Sequence, residues 1–163
     1  MNKEILSYTA GLFDGEGCVD IYKASISKAS KSPSFMLRVV ITQKQGDIMN
    51  WLEDNFGGYV QLSRRNGNYI YRWDIRSQAA KRFLLLIQPF VLIKKEQVDL
   101  AIEYEERKSK YLETLKGKRG FRTLTEGEIK WRYSMQEKLS KLKTKYILYT
   151  KNGAGTTTKR EER

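Results

Sequence analysis

The sequence predicts an α+β domain whose elements run in the order αββαββα, with extra helices toward the C-terminal end. Three observations predict it. Apolar residues switch repeatedly between helical spacing and strict alternation. The dipeptide Asn66-Gly67 sits between two alternating runs, where both central residues of a type I′ hairpin turn need positive φ. Glycine pairs and a proline fall where the spacing changes, marking element ends.

The elements follow in order. Over residues 4–15, Ile5, Leu6, Thr9, Leu12 and Phe13 recur at helical spacing, and Asn2 or the acid after it stands ready to cap the start. The opposite stripe is small: Ser7, Ala10, Gly11 and Asp14. CVDIYKASI then alternates, a polar stretch SKASKSPS intervenes, and FMLRVVITQ alternates again, which reads as a hairpin with a long Lys-rich tip. Residues 46–56 return to helical spacing through Ile48, Met49, Trp51, Leu52 and Phe56, and Gly57-Gly58 stop that helix. YVQLSRR and NYIYRWDI form the second hairpin around Asn66-Gly67. Ser77 can cap the helix QAAKRFLLLI, which ends at Pro89. A long helix runs from Lys94 to about Leu115, with Val98, Ala101, Ile102 and Tyr104 on its apolar side. After the linker KGKRGFR, Thr125 and Glu128 form a candidate capping box for a last basic helix to about Lys145. Residues 1–150 thus read as one domain, with a core over 4–115 and a basic helical region over 123–147. Residues 151–163 read as a disordered tail.

Composition narrows the function classes. The 163 residues carry 31 Lys and Arg against 19 Asp and Glu, a net charge of +12. Ten Tyr, three Trp and six Phe are interleaved with those charges. A positive surface gains counterion-release free energy on phosphate while aromatics stack or pack, so nucleic acid is the favoured partner. A ribosome-associated or membrane-surface protein remains the plainer alternative. The single cysteine, Cys18, allows no intramolecular disulfide and is compatible with a reducing, intracellular setting. With no histidine at all, imidazole-based triads and Cys-His zinc sites are excluded. Any hydrolysis must rest on carboxylates, lysine, metal and water. No apolar run approaches the roughly 18 residues that would span a bilayer, and no membrane partner is expected.

The segment YTAGLFDGEGC, residues 8–18, concentrates three glycines and two acids. The order is wrong for a dinucleotide fingerprint, Gly-Lys-Ser/Thr is missing for a phosphate-binding loop, and Val19 occupies the turn position of a calcium loop starting at Asp14. Helical geometry accounts for it better. Gly11 and Gly15, four residues apart, share one face and leave it without side chains, so a second helix could approach almost backbone to backbone. If the partner is the same helix from a second copy, the two Glu16 carboxylates come together near a two-fold axis. Such a pair repels at adjacent helix C-termini, and a divalent cation relieves the strain.

The run Ala10-Gly11-Leu12-Phe13-Asp14-Gly15-Glu16-Gly17 resembles, position by position, the LAGLIDADG motif of homing endonucleases. Thr9 replaces the usual Leu, and Glu16 stands where Asp is commoner. The resemblance extends through Val40-Ile41-Thr42-Gln43-Lys44, Gly58-Tyr59-Val60, Gln88-Pro89-Phe90 and Lys94-Lys95-Glu96-Gln97, covering about residues 4–105 in the right order. It implies an αββαββα core whose four antiparallel strands form a saddle over the major groove of double-stranded DNA. One motif per chain implies a homodimer, with Ala10, Gly11, Asp14 and Gly15 at the helix contact. It further implies Mg²⁺, with Mn²⁺ as a substitute, held by Glu16 and the Gly15 carbonyl. Gln43 matches the position that orients the attacking water, and Lys94 the basic residue near the scissile phosphate. Asp47 stands where a family relative carries a second basic residue, so that cation comes from elsewhere, for example Lys44, or cleavage is weaker.

Strands of about ten residues reach about 33 Å, close to ten base pairs per subunit and roughly 20 for a dimer. If Val19, Ile21, Leu37, Val39, Ile41, Tyr71, Trp73 and Ile75 face the helices, the alternate set faces DNA: Asp20, Tyr22, Lys28, Arg38, Gln61, Ser63, Arg65, Arg72 and Asp74. That mixture of donors and acceptors suits base-edge reading. The runner-up function is a non-cleaving DNA- or RNA-binding protein on the same scaffold, such as an intron maturase or a transcription regulator.

Overall fold

The computed structural model describes residues 1–24, 32–65, 67–115 and 124–153. The elements are α1 (Lys3–Glu16), β1 (Gly17–Ala24), β2 (Ser34–Gln43), α2 (Gly46–Phe56), β3 (Tyr59–Arg65), β4 (Asn68–Arg76), α3 (Ser77–Ile87), a 3₁₀ turn (Gln88–Phe90), α4 (Lys95–Thr114) and α5 (Glu126–Gly153). The expected αββαββα order is therefore present. The Lys-rich hairpin tip with Lys28, the turn residue Asn66, the linker after α4 and the tail from residue 154 lie outside the described residues.

The strands form one antiparallel sheet in the order β1-β2-β4-β3, two hairpins joined through β2 and β4. Side chains alternate across it. Val19, Ile21, Leu37, Val39, Ile41, Trp73 and Ile75 are all buried on the helix side, and Tyr71 is half-buried in the same row. Phe13, Met49, Leu52, Phe83 and Leu84 meet them from α1, α2 and α3. Trp73 anchors the centre: its ring lies 5.0 Å from Phe83, and its Nε1–H donates to the Gly57 carbonyl at 2.8 Å.

That hydrogen bond needs the chain to turn sharply after α2. Gly57 (φ +73) and Gly58 (φ +90) make the turn, and a Cβ on Gly58 would lie 2.7 Å from the Asp74 carbonyl oxygen. Positive φ and a backbone clash act together there. Gly58→Ala is expected to lower unfolding stability by roughly 2 kcal/mol, measurable by urea denaturation.

Helix ends differ from expectation in three places. Asn2 caps α1 as expected, accepting from the Glu4 amide at 2.7 Å. Ser77 does not act as the cap of α3: Arg76 holds the N-cap position with no side-chain hydrogen bond to the helix's first amides, and Ser77 is the helix's first residue at φ +50. Only half the capping box at α5 forms. The Glu128 amide donates to Thr125 Oγ1 at 3.3 Å, while the Glu128 carboxylate takes Arg132 Nε at 2.8 Å instead of reaching back. α5 also runs to Gly153, past the expected end near 147 and into the segment read as tail. It is held to α4 by Trp131, which stacks on Tyr104 at 5.5 Å with Arg107 4.0 Å over its ring. Among the described residues no helix is long and apolar enough to cross a membrane.

Candidate active site

α1 ends at Glu16, and its last turn gathers the groups that matter. The Asp14 carboxylate accepts three backbone amides from the segment before α4: Leu92 at 2.8 Å, Ile93 at 3.1 Å and Lys94 at 3.0 Å. Asp14 thus joins two parts of its own chain, a buttressing role for its carboxylate at the end of α1. Asp14→Ala leaves three amides without this acceptor, and roughly 2–3 kcal/mol of stability should go with it, read as a lowered thermal midpoint.

Lys94 folds back over the same turn. Its ammonium donates to the Phe13 carbonyl at 3.0 Å and to the Asp14 carbonyl, and lies 5.6 Å from the Phe13 ring centroid. Cations favour helix C-termini because the carbonyls there are unpaired and the dipole is negative. Burial pulls the Lys94 ammonium below its ordinary pKa, while the charges of Asp14, Cys18 and Glu16 pull it back up. Glu16 itself is exposed and has no hydrogen bond or ion pair to another described residue. Gln43 ends β2 in the helix-side row, two residues past Ile41, the partner of Gly17, so the register sets it at the same end of the sheet as Glu16. Lys44 is exposed beside it. Asp47 lies in the first turn of α2, where an acid is stabilised by the helix N-terminus, a local reason for its departure from a basic residue.

The outward face of α1 is bare. Gly11 and Gly15 are exposed, and a Cβ on either would meet nothing within 4 Å. Ala10 is the correction: it is wholly buried with Thr9 and Phe13, because the helix rotates that position toward the sheet. Thr9 satisfies its hydroxyl by donating to the Ile5 carbonyl at 2.7 Å, which lets a polar residue stand in the core where Leu is usual. Around the glycines stand exposed apolar side chains that the sequence reading missed: Tyr8 at 55%, Ile93 at 54% and Leu92 at 85%. The apolar run VLI directly after Gln88-Pro89-Phe90 was the available signal. Its lack of period hid which side chains point outward.

Among the described residues the other face of the sheet carries no buried apolar row. Asp20, Tyr22 and Arg38 are half-buried there, Gln61 and Ser63 exposed, and Arg72 half-buried. Arg65 ends β3, and its side chain lies outside the described residues. Arg38 reaches Asp20 at 3.3 Å and lies 4.6 Å over the Tyr22 ring, and Lys143 of α5 also approaches Asp20 at 3.4 Å. Asp74 departs from expectation. It is wholly buried beneath Arg72 and Arg76, so it offers no free acceptor to a ligand. The face is consequently richer in donors than the alternation implied.

Among the described residues no three Asp, Glu, Cys or His side chains converge on one point. The donors that are present nonetheless suit a hard cation. Glu16 supplies an uncommitted carboxylate oxygen beside backbone carbonyls, and the Lys94 ammonium already occupies two of those carbonyls.

A family model described as LAGLIDADG endonuclease matches residues 9–101, more than half of the chain, and the protein belongs to the LAGLIDADG endonuclease family. No curated protein matches the sequence. Among solved structures, the homing endonuclease I-CvuI, in complex with the I-CreI target, is similar with a TM-score of 0.67 and 14% identity over 98% of this chain and 87% of its own. The homing endonuclease I-TnaI is similar with a TM-score of 0.63 and 17% identity over 86% of this chain and 96% of its own. The meganuclease I-AabMI, bound to uncleaved DNA, gives 0.61 and 18% over 80% of this chain but only 44% of its own. At such identities the likeness establishes the fold.

Proposed function

We propose that this chain is a site-specific homing endonuclease that binds a pseudo-palindromic duplex of roughly 20 base pairs as a homodimer and hydrolyses both strands with a divalent metal. The observation that carries the reading is the end of α1: an exposed, uncommitted Glu16 at the edge of a helix face that Gly11 and Gly15 leave open. The relatives I-CvuI and I-AabMI were solved on DNA, and I-CvuI with Mg or Ca, which supports the same class of ligand here.

Two copies packed through Gly11 and Gly15, with Tyr8, Leu92 and Ile93 around them, bring the two Glu16 side chains together. One chain offers too few oxygens for a cation that takes about six; Glu16 and the Gly15 carbonyl of both chains would hold it together with the bound DNA and water. Mg²⁺ held by Glu16, or Mn²⁺ in its place, would supply charge stabilisation and an activated water at the scissile phosphate. Gln43, at the same end of the sheet, would orient the attacking water through its amide. Lys94, held against α1 and partly desolvated, offers positive charge toward the developing negative charge on phosphate. The outer sheet face lies along the major groove, with Gln61, Ser63, Arg38 and Arg72 toward base edges.

The test is a supercoiled plasmid carrying a site selected by the purified protein from random duplex DNA. Linear product with Mg²⁺, and none with EDTA, is expected. Tight, site-specific binding with no nick in Mg²⁺ or Mn²⁺ would instead identify the non-cleaving binder on the same scaffold.

A further inference from the structure

Asp74 and Arg76 make a contact that the proposed function leaves unused. Asp74 is at the middle of the outer sheet face, with Val40 of β2 and Tyr59 of β3 as its cross-strand partners. Its two carboxylate oxygens accept from Arg76 Nε at 2.7 Å and Nη2 at 3.2 Å, a two-point grip on one edge of the guanidinium. The Arg76 guanidinium carbon lies over the Tyr59 ring, 4.9 Å from the ring centroid. Arg72 Nη2 adds a third bond to the same carboxylate at 2.9 Å.

A guanidinium gripped along one edge and backed by a ring has its plane fixed. The edge that Asp74 does not hold, formed by Nη1 and the outer hydrogen of Nη2, remains a two-pronged donor, and the Arg76 side chain is 38% exposed while Asp74 is fully covered. We propose that Arg76 is a base-reading residue whose free edge takes O6 and N7 of a guanine in the major groove, with Asp74 and Tyr59 as the positioning residues that aim it. The inference rests on the DNA-binding reading above and adds to it a residue, a base and the reason for a buried acid.

Two features separate this arrangement from a phosphate contact. Phosphate binding rewards positive charge of any shape, and a paired carboxylate subtracts from that charge; a planar fork of fixed orientation is what guanine requires. Asp74 is also kept at a cost. Burial pushes its carboxyl up from the ordinary value, with Arg72 and Arg38 opposing, so an apolar side chain would sit there more cheaply.

The test uses the full-length protein and a pool of duplex DNA randomised over more than the expected site length. Wild type, Arg76→Lys and Asp74→Asn are each taken through selection and sequencing, and binding to the wild-type site is then compared with binding to random duplex. Wild type should enrich a symmetric site with a guanine at one matched position in each half. Arg76→Lys, which keeps the charge and loses the fork, should lose preference at that position, and binding to the selected site should fall roughly 10-fold with little change on random duplex. Asp74→Asn should lose the same preference while binding random duplex at least as well as wild type. If Arg76→Lys retains the guanine, or weakens all duplexes equally, the inference is overturned whatever the folding of Asp74→Asn. Enrichment of no sequence by wild type overturns the DNA-binding reading, and this inference with it.

Discussion

Glu16→Gln is expected to abolish strand scission while leaving DNA binding intact. The substitution keeps the size and the hydrogen-bonding reach of the side chain and removes its charge. Because Glu16 is exposed and uncommitted within its own chain, the fold loses nothing when the charge goes. On the proposed reading, a bound metal would lose one charged ligand from each chain. Metal assistance accounts for several kcal/mol of transition-state stabilisation, so cleavage should fall by roughly 10³-fold or more. Binding to the selected site, measured by gel shift in Ca²⁺ and in EDTA, should change less than a few fold. Full cleavage by the variant would remove Glu16 from the chemistry. Loss of binding together with cleavage would make it a structural residue.

Gly11→Leu should separate the chain from its second copy without unfolding it. A side chain at Gly11 meets nothing within the protomer, and replacing a helical glycine by leucine gains about 0.5–1 kcal/mol of helix propensity. Thermal stability of the isolated chain should therefore hold or rise. The same side chain fills the space in which two backbones would approach, so sedimentation should show monomer, and linearisation of the plasmid should be lost. The contrast is Gly17, where a Cβ would lie 2.3 Å from the Phe13 ring and 2.6 Å from the Phe13 carbonyl oxygen. There alanine should destabilise the protomer itself. Dimer formation by Gly11→Leu equal to wild type would remove the glycine face from the interface.

Much of this was readable from the chain, and the failures share a cause. Strand alternation identified the inward row correctly because a period of two leaves little ambiguity: Val39, Ile41, Trp73 and Ile75 are buried as their positions require. Helix α2 was legible to its end because glycines stop it. α1 was harder, since a stripe of small residues does not reveal which edge faces the core. Ala10, one position from Gly11, turns inward, and only the packed helix shows it. Asp74 was assigned to the correct face of the sheet, but whether an acid there meets ligand or lies beneath neighbouring arginines depends on side-chain reach across strands. The same limit hid Arg76. The expected strand NYIYRWDI stops at Ile75, one residue short of it, and the orientation of its guanidinium comes from Tyr59 on β3 and a carboxylate two residues away. Asp14 joining α1 to the start of α4 is a contact between residues about eighty positions apart, which no local pattern encodes.

The central claim is that each chain carries half of one active site. It is tested most directly by mixing wild-type protein with Glu16→Gln in equal amounts, allowing subunits to exchange, and counting total strand cuts, nicked plus linear plasmid, at fixed total protein. If both Glu16 carboxylates are needed, only dimers of two wild-type chains cut either strand, and activity falls to about a quarter of that of wild type alone. Activity of one half, in proportion to the wild-type chains present, would show that each chain cuts on its own and would contradict the account.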